Sequence, residues 1–304
     1  MGRSARLTSI WASKDGRLTK EMTMSLSAIP NVSVPSEPSD TGTPMESGVR
    51  DVKSAARTVE LLELLAGRQN RPTSIRELSE AMNVPRSSLH ALLRTLAKHG
   101  WVSGDSSGSL YRIGIRALLA GTSYLDADPY LPIVQTYLDE LHAQFDETFH
   151  FGRLDGFDMV YLSTRESSRY SRPLSRVGRR LPAYATSLGK AVLAERTGAD
   201  RSRHIPTDAA RLTPHTLAVR ADLDRDLEQT RARGFAIDNE ENTPGLRCFA
   251  VALPYADPAS DAISVSLPLA GLAPAREAEV ISALRLAGQK VCRIVRPIKD
   301  AAWI

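Results

Sequence analysis

The chain has 304 residues, of which 42% are hydrophobic, so it is long and apolar enough for roughly two packed domains. Its two cysteines, Cys248 and Cys292, exclude a disulfide framework or a zinc cluster and indicate reduced thiols. No window contains the ~18 continuous apolar residues of a membrane span, and the N-terminus lacks the apolar core of a signal peptide. We therefore expect a soluble cytoplasmic protein.

The formal net charge of +4 is distributed unevenly along the chain. Residues 1–49 carry five basic and five acidic side chains, residues 50–116 carry eleven and six, and residues 117–304 carry 23 and 24. The positive excess therefore lies in the second segment. This distribution is typical of a module that attracts phosphates joined to a near-neutral one.

Residues 1–48 show no sustained apolar periodicity, and the part from Ser25 to Ser47 is rich in Ser, Thr and Pro. Such a composition buries too little apolar surface to order itself, so it predicts a disordered tail. Met45 stands just before the expected folded part, and we regard it as an alternative start of the functional chain.

The first folded element predicted by the sequence is an amphipathic helix from Val52 to Ala66, ended by Gly67. Apolar residues at helical spacing share one face, which we expect to be buried. They are Val52, Ala55, Val59, Leu62 and either Leu65 or Ala66.

The stretch from Ser74 to Ile113 has the pattern of a winged helix-turn-helix. A capping box, Ser74-x-x-Glu77, opens its first helix, and Asn83-Val84-Pro85 interrupts the chain before a second helix begins. Gly100 ends the second helix, and a hairpin with a polar turn over residues 104–108 follows it. The predicted buried face of the second helix consists of Leu89, Leu92, Leu93 and Leu96.

The opposite face of the second helix offers the groups that read a DNA duplex. Arginine donates to guanine edges or phosphates, and hydroxyls reach bases or the backbone. The candidate DNA-contacting residues are Arg86, Ser87, Ser88, His90 and Arg94. The alternative is that both helices simply pack on a neighbour and the arginines form a solvated face.

The remainder of the chain predicts an α+β domain that follows a connector. A helix from Ile115 to about Tyr124 leaves the wing, and Asp126-Ala127-Asp128-Pro129 breaks it. The other expected helices are Pro132–Phe145, one that starts near Thr186, Leu223–Arg233 and Pro274–Val295. The expected strands are Thr148–Leu154, Met159–Thr164, Phe235–Asp238, Leu246–Leu253 and Ala262–Leu267. Together they predict an antiparallel sheet with helices on its faces.

Two of these strands place large and small side chains on opposite faces of the sheet. The small or polar residues are Cys248, Ala250 and Ala252 in one strand, and Ser264 and Ser266 in the other. Such a face leaves room for a ligand and offers hydroxyl groups to it. The alternative, which these residues by themselves favour, is a face that is exposed to solvent or covered by a closely packed helix.

Four stretches, in this order and spacing, resemble the IclR family of bacterial transcriptional regulators. They are the helix-turn-helix with NVPRSSLHALLRTLAKHGWV, then VGRRLPAYATSLGKAVLA, GFAIDNEENTPGLRCFAVAL and DAISVSLP. The resemblance runs from about Val52 to the C-terminus. It implies a winged helix-turn-helix domain at 49–116, a linker helix at 117–130 and an effector-binding domain similar to GAF and PAS sensors at 131–304.

The same resemblance implies a function. Such regulators form dimers and often tetramers, bind operator DNA, and repress or activate operons for the uptake and breakdown of small organic acids. It also implies an effector pocket formed by Ser187, Leu188, Asp238, Cys248, Ser264 and Ser266. We expect a small carboxylate as effector, since backbone N–H groups at a helix N-terminus attract anions.

Several of these residues also have simpler interpretations. Asp238 is either a ligand contact or a cap for the turn before Glu240, and Cys248 is a wall residue rather than a nucleophile. Leu188 stands where such regulators also have smaller residues, so it narrows or reshapes the pocket. Arg179 and Arg180 are placed near the pocket mouth by the same resemblance, with a surface or subunit contact as the alternative.

Two other functions were weighed. An enzyme would use Cys248 with a histidine, but none of the six histidines shares a recognisable catalytic motif with it. The sequence also contains no phosphate-binding glycine loop and no metal-ligand spacing, so we expect neither an enzyme nor a cofactor. A C-terminal domain that serves only assembly is the other alternative.

Overall fold

The structure is a computed structural model, and it describes residues 8–9, 22–23, 52–68, 71–169 and 177–299. The predicted disordered tail lies outside the described residues, except for the short antiparallel pair of β1 (Thr8–Ser9) and β2 (Met22–Thr23). The chain divides into two compact units, one ending at Ala127 and the other resuming at Asp128. The fold class is the predicted α+β arrangement of a helix-turn-helix unit and a sheet-containing unit.

The first unit contains four helices and three short strands among its described residues. The helices are α1 (Lys53–Gly67), α2 (Ile75–Met82), α3 (Arg86–Lys98) and α4 (Ile115–Ala127). The strands are β3 (Thr73–Ser74), β4 (Val102–Gly104) and β5 (Leu110–Ile113), in the antiparallel order β3-β5-β4. Helices α2 and α3 with the β4–β5 hairpin form the predicted winged helix-turn-helix.

Local sequence signals determine how this unit turns. The Ser74 N–H donates to Glu77 Oε2 at 2.8 Å and the Glu77 N–H donates to Ser74 Oγ at 3.3 Å, so the predicted capping box is present. Asn83 adopts a left-handed conformation with φ of 49°, and Pro85 precedes the first residue of α3. These residues stop α2 and restart the chain as α3, as their types predict.

The predicted buried face of α1 is only partly correct. Val52 and Val59 are 65% and 55% exposed, against the prediction, whereas Leu65 is buried as predicted, together with Leu61. Helix α1 carries two apolar stripes, and the one through Leu61 and Leu65 packs in the core. That core contains Leu61, Leu65, Leu78, Val84, Leu89, Leu93, Leu96 and Val102, while Leu92 is only half-buried.

The second unit is built on one six-stranded antiparallel sheet. Its strands are β6 (Thr148–Asp155), β7 (Asp158–Arg165), β8 (Arg180–Pro182), β9 (Ala236–Asn239), β10 (Leu246–Ala252) and β11 (Asp261–Pro268). The order across the sheet is β8-β7-β6-β11-β10-β9. Its helices are α5 (Leu131–Phe145), α6 (Ser187–Glu195), α7 (Gly198–Ser202), α8 (Arg220–Arg233) and α9 (Pro274–Lys299).

The two faces of this sheet are covered by different helices. Helices α5 and α9 pack together and contact strands on one face, while α6 contacts β9, β10 and β11 and is itself covered by α8. Strand β8 and helix α7 were not predicted, because both are too short for a periodic signal. Arg180 thus begins β8, and Arg179 directly precedes this strand.

Candidate functional site

The exposed face of α3 contains most of the predicted DNA-contacting residues. Arg86, Ser87, His90 and Arg94 are all exposed, whereas Ser88 is half-buried. No side chain caps the start of α3, and its first turn holds no acidic residue. Its first N–H groups are therefore open to an anion such as a DNA phosphate.

The hairpin after α3 has an ordered tip held by Asp105. Its carboxylate accepts hydrogen bonds from the Ser109 N–H at 2.8 Å, the Leu110 N–H at 2.9 Å and Ser107 Oγ at 2.5 Å. These hydrogen bonds lower the pKa of Asp105 to about 2, and the bond from the Ser107 side chain has the largest effect. Arg112, on β5, is exposed beside this tip. Sequence reasoning did not single it out, although it contributes to the positive excess of this segment.

In the second unit, three predicted effector residues form one row across neighbouring strands. Cys248 of β10 pairs with Asp238 of β9 on one side and with Ser266 of β11 on the other. Ser266 in turn pairs with Thr148 of β6. Directly paired residues point to the same face, so the fold brings Asp238, Cys248 and Ser266 together as a buried polar row.

The next row brings in a histidine that sequence reasoning missed. Ser264 pairs with His150 of β6, and His150 pairs with Thr164 of β7. His150 Nε2 lies 3.4 Å from Ser266 Oγ and Nδ1 lies 3.0 Å from Thr164 Oγ1. The Cys248 thiol donates to Ser266 Oγ at 3.2 Å. A signal was present, because His150 alternates with Thr148 along a predicted strand, but its pairing with β11 was needed to place it.

Helix α6 begins at Ser187, next to the small-residue face. Thr186 Oγ1 accepts from the Gly189 N–H at 3.2 Å and so caps the helix. A Cβ on Gly189 would lie 2.1 Å from the Ala183 carbonyl oxygen, so only glycine permits this close approach. Ser187 and Leu188 are both buried.

The close packing of α6 decides between the two interpretations of the small-residue face. Leu188, Ala191 and Val192 share a buried cluster with Ala250 and Ala262, so a helix covers that end of the face. Ser264 pairs with Ala250 in this covered part, and Cys248 and Ser266 form the next row, which is polar. The face therefore receives a closely packed helix at one end and carries polar groups at the other.

Asp238 makes the turn-capping contact that was its alternative role. Its Oδ1 accepts from the Glu241 N–H at 2.8 Å. Burial, together with the nearby charge of Glu241, raises the pKa of Asp238 to about 7. Near neutral pH a large fraction of this carboxyl is protonated, and a protonated carboxyl can donate to a ligand carboxylate.

A buried lysine connects α6 to the turn after Asp238. Lys190 is 1% exposed, and its Nζ lies 2.5 Å from Glu241 Oε1 and 2.8 Å from Asp226 Oδ2 of α8. Burial raises the pKa of Glu241, and the Lys190 charge opposes this rise. Lys190, Glu241 and Asp226 therefore hold α6, α8 and the Asp238 turn together, an arrangement that the sequence did not indicate.

The two arginines predicted near the pocket mouth lie at a sheet edge. Arg180 is exposed and pairs with Asp155 at 3.4 Å and Asp158 at 3.3 Å. The Arg179 carbonyl accepts from the Tyr161 N–H at 2.9 Å. The ion pairs of Arg180 with Asp155 and Asp158 favour a surface role for this residue over a role at the pocket mouth.

Within the described residues no helix has both the length and the apolar character needed to cross a membrane. The same part of the chain contains no group of three or more His, Cys, Asp or Glu residues placed to hold a metal ion.

Family models match both units of the chain. Residues 54–106 match the IclR helix-turn-helix domain, and residues 122–293 match the C-terminal domain of bacterial transcriptional regulator IclR. The chain is 34% identical to the transcriptional regulator XynR of Escherichia coli over 201 residues, 66% of this chain and 79% of XynR. It is 31% identical to the regulator BhcR of Paracoccus denitrificans over 254 residues, 82% of this chain and 90% of BhcR.

A solved structure shares the fold. An IclR homologue of Microbacterium hydrocarbonoxydans, crystallised with 4-hydroxybenzoate, superposes with a TM-score of 0.65 at 19% sequence identity. The match covers 80% of this chain and 99% of that one.

Proposed function

Because the chain belongs to the IclR family of bacterial transcriptional regulators, with a DNA-binding helix-turn-helix and a C-terminal ligand-binding domain, we propose that it controls transcription in response to a small organic acid. The acid binds in the second unit and changes the affinity of the first unit for operator DNA. With DNA as its target, the protein acts in the cytoplasm.

The observation that carries this proposal is the buried polar row Asp238–Cys248–Ser266. Its side chains come from three adjacent strands, yet they meet on one face. A partly protonated Asp238 and the hydroxyl of Ser266 supply donors to a carboxylate. Ser187, Leu188 and Ser264 complete the proposed effector site, and the 4-hydroxybenzoate of the Microbacterium homologue is an acid of this class.

The proposed DNA interface is the exposed face of α3. Arg86 and Arg94 contact phosphates or guanines, while Ser87, Ser88 and His90 adjust the fit. We propose that two copies present two such helices to successive major grooves, roughly 34 Å apart. Exposed apolar residues of α1, of its N-cap and of α4 support a homodimer. These residues are Val52, Val59, Ile115, Leu118 and Leu119. Two such dimers could assemble further into a homotetramer.

Fluorescence anisotropy tests the proposal, with the duplex upstream of the protein's own gene and a panel of acids such as acetate, glyoxylate and 4-hydroxybenzoate. We expect tight binding to this duplex and a change in Kd with at least one acid. Equal affinity for the upstream duplex and for a scrambled duplex would contradict the regulatory function. Specific binding that no acid alters would leave the DNA interface standing and favour a C-terminal domain used only for assembly.

A further inference from the structure

Arg153 of β6 joins two buried carboxylates. Its Nη1 donates to Asp128 Oδ2 at 2.6 Å, and its Nε and Nη2 donate to the two oxygens of Asp261 at 2.8 and 2.7 Å. The Asp128 and Asp261 side chains are 3% and 0% exposed. The Tyr255 hydroxyl also donates to Asp261. Because the guanidinium is planar and donates in a fixed fork, it holds the two carboxylates at a set separation.

One of these carboxylates stands where the two units join in the chain. Asp128 directly follows Ala127, the last residue of α4 and of the first unit. Its Oδ1 accepts from the N–H groups of Tyr130 at 2.9 Å and Leu131 at 3.0 Å, which fixes the start of α5. Any displacement of Asp128 therefore acts directly on the end of the linker helix.

The other carboxylate belongs to the strand of the proposed effector site. Asp261 is the first residue of β11, which carries Ser264 and Ser266. Arg153 pairs with Asp261 across the β6–β11 ladder, and His150 pairs with Ser264 in the same ladder. The Arg153 contacts thus connect the proposed ligand-contacting strand to the residue that follows α4.

We propose that Arg153 is a positioning residue that couples the effector-site strand to the linker helix, an inference that rests on the function proposed above. A ligand that engages Ser264 and Ser266 shifts β11, and the Arg153 fork passes this shift from Asp261 to Asp128. Binding linkage is reciprocal, so DNA bound to the first unit must in turn alter the affinity of the second unit for its ligand, and we expect this effect to reach β11 through the same contacts. This reverse effect is measurable without any knowledge of the effector.

The substitution Asp128→Asn separates the two roles of Asp128. The amide oxygen still accepts from Tyr130 and Leu131, whereas the amide nitrogen opposes the Arg153 donor. Arg153 then pairs with one buried carboxylate, Asp261, so the group changes from a net charge of −1 to a neutral pair, and we expect the fold to be kept. Removing Arg153 itself would leave two buried carboxylates without a cation, and the readout would be unfolding rather than coupling.

Hydrogen exchange of the full-length protein, with and without the duplex upstream of its gene, tests the coupling. In the wild type we expect the duplex to change exchange in the β11 peptide by about fivefold, the lower end of typical allosteric coupling. In Asp128→Asn the duplex should still bind while this change is lost. The matched control is Asp139→Asn, which removes the charge and one of the two oxygens that accept from Arg165 between α5 and β7, and which should leave the change intact.

Retention of the duplex-induced change in Asp128→Asn would overturn the coupling role of Arg153. Duplex binding by the wild type without any change in β11 would also overturn it, while leaving the regulatory function untouched. If the wild type does not bind the duplex at all, the coupling fails together with the proposed function.

Discussion

The two polar regions of this protein differ in their exposure to solvent and in the contacts that fix their side chains. On α3 the polar side chains are exposed and emerge from a helix whose other face is anchored by leucines. In the second unit the polar groups are buried, and they hold one another by hydrogen bonds and ion pairs. An exposed charge acts on a partner at little cost to folding, whereas a buried one is inseparable from stability. Removing a charged group should therefore mainly affect binding in the first region and, where it leaves a buried charge unpaired, folding in the second.

The largest effect is expected at Lys190. Lys190→Met leaves the buried Glu241 without its Lys190 partner and leaves Asp226 paired with Arg233, which should lower the free energy of unfolding by about 3–5 kcal/mol, most of it from Glu241. Urea denaturation followed by circular dichroism measures this loss. Lys53→Met, at the exposed first residue of α1, is the control and should change stability by under ~0.5 kcal/mol. A loss below about 1 kcal/mol for Lys190→Met would show that the buried cluster contributes little.

The next effect concerns pH. The pKa of Asp238 is about 7 in the folded protein, above the ordinary value of 3.8, so the folded state binds the proton more tightly than the unfolded state. Its contribution to stability is therefore present below the ordinary pKa and is lost as the pH rises towards 7. Between pH 5 and pH 8 this loss should be on the order of 2 kcal/mol.

Asp238→Asn separates the contribution of this carboxyl to the pH dependence of stability from the contributions of the neighbouring groups. These groups are Lys190 of α6, Glu241 of the same turn and the Cys248 thiol. The substitution removes the titration but keeps an oxygen to cap the turn. We expect the stability of the variant relative to wild type to rise between pH 5 and pH 8, as measured by urea denaturation. Parallel pH profiles for the two proteins would contradict the raised pKa.

A smaller effect, on binding alone, is expected at Arg86. Arg86→Ala should weaken binding to the upstream duplex by about 1–3 kcal/mol while leaving the unfolding free energy unchanged, because the side chain is exposed. Anisotropy titration measures the Kd. Arg225→Ala, at an exposed position of α8, is the matched control. Unchanged affinity in Arg86→Ala would remove this residue from the interface.

The smallest effect is expected at the capping box of α2. Ser74→Ala removes the oxygen that accepts from the Glu77 N–H, which should lower stability by about 1 kcal/mol. Ser74→Thr retains a hydroxyl and should recover most of the loss. Thermal unfolding followed by circular dichroism distinguishes the two, and equal stabilities for Ser74→Ala and wild type would show that the cap contributes nothing.

Local signals in the sequence were sufficient for the turns and helix boundaries of the helix-turn-helix, but not for the packing of α1. The capping box at Ser74, the break at Pro85 and the leucine spacing of α3 are all short-range features, and each is present in the structure. The buried face of α1 was predicted only in part, because its two apolar stripes are equivalent until the partner helices are placed. Only packing distinguishes Leu61 from Val59.

The contacts of the second unit were harder to predict from the sequence, because they join residues that are far apart along the chain. Alternation correctly predicted every strand of the sheet except β8, but it could not say which strands are neighbours. His150 therefore went unnoticed until its pairing with Ser264 placed it beside Ser266. Lys190 was missed for the same reason, since Glu241 is 51 residues away in sequence. The proposed effector residues were carried over by resemblance, and the strand register brings Asp238, Cys248 and Ser266 together.

The most direct test of the central claim is a titration of duplex binding against the acid found in the anisotropy panel, for wild type and for Ser266→Ala. Ser266 lies in the buried polar row and takes no part in the proposed DNA interface. We expect both proteins to bind the duplex equally when no acid is present. We also expect Ser266→Ala to need at least about tenfold more acid for the same change in affinity. An unchanged acid response in Ser266→Ala would contradict the proposed effector site.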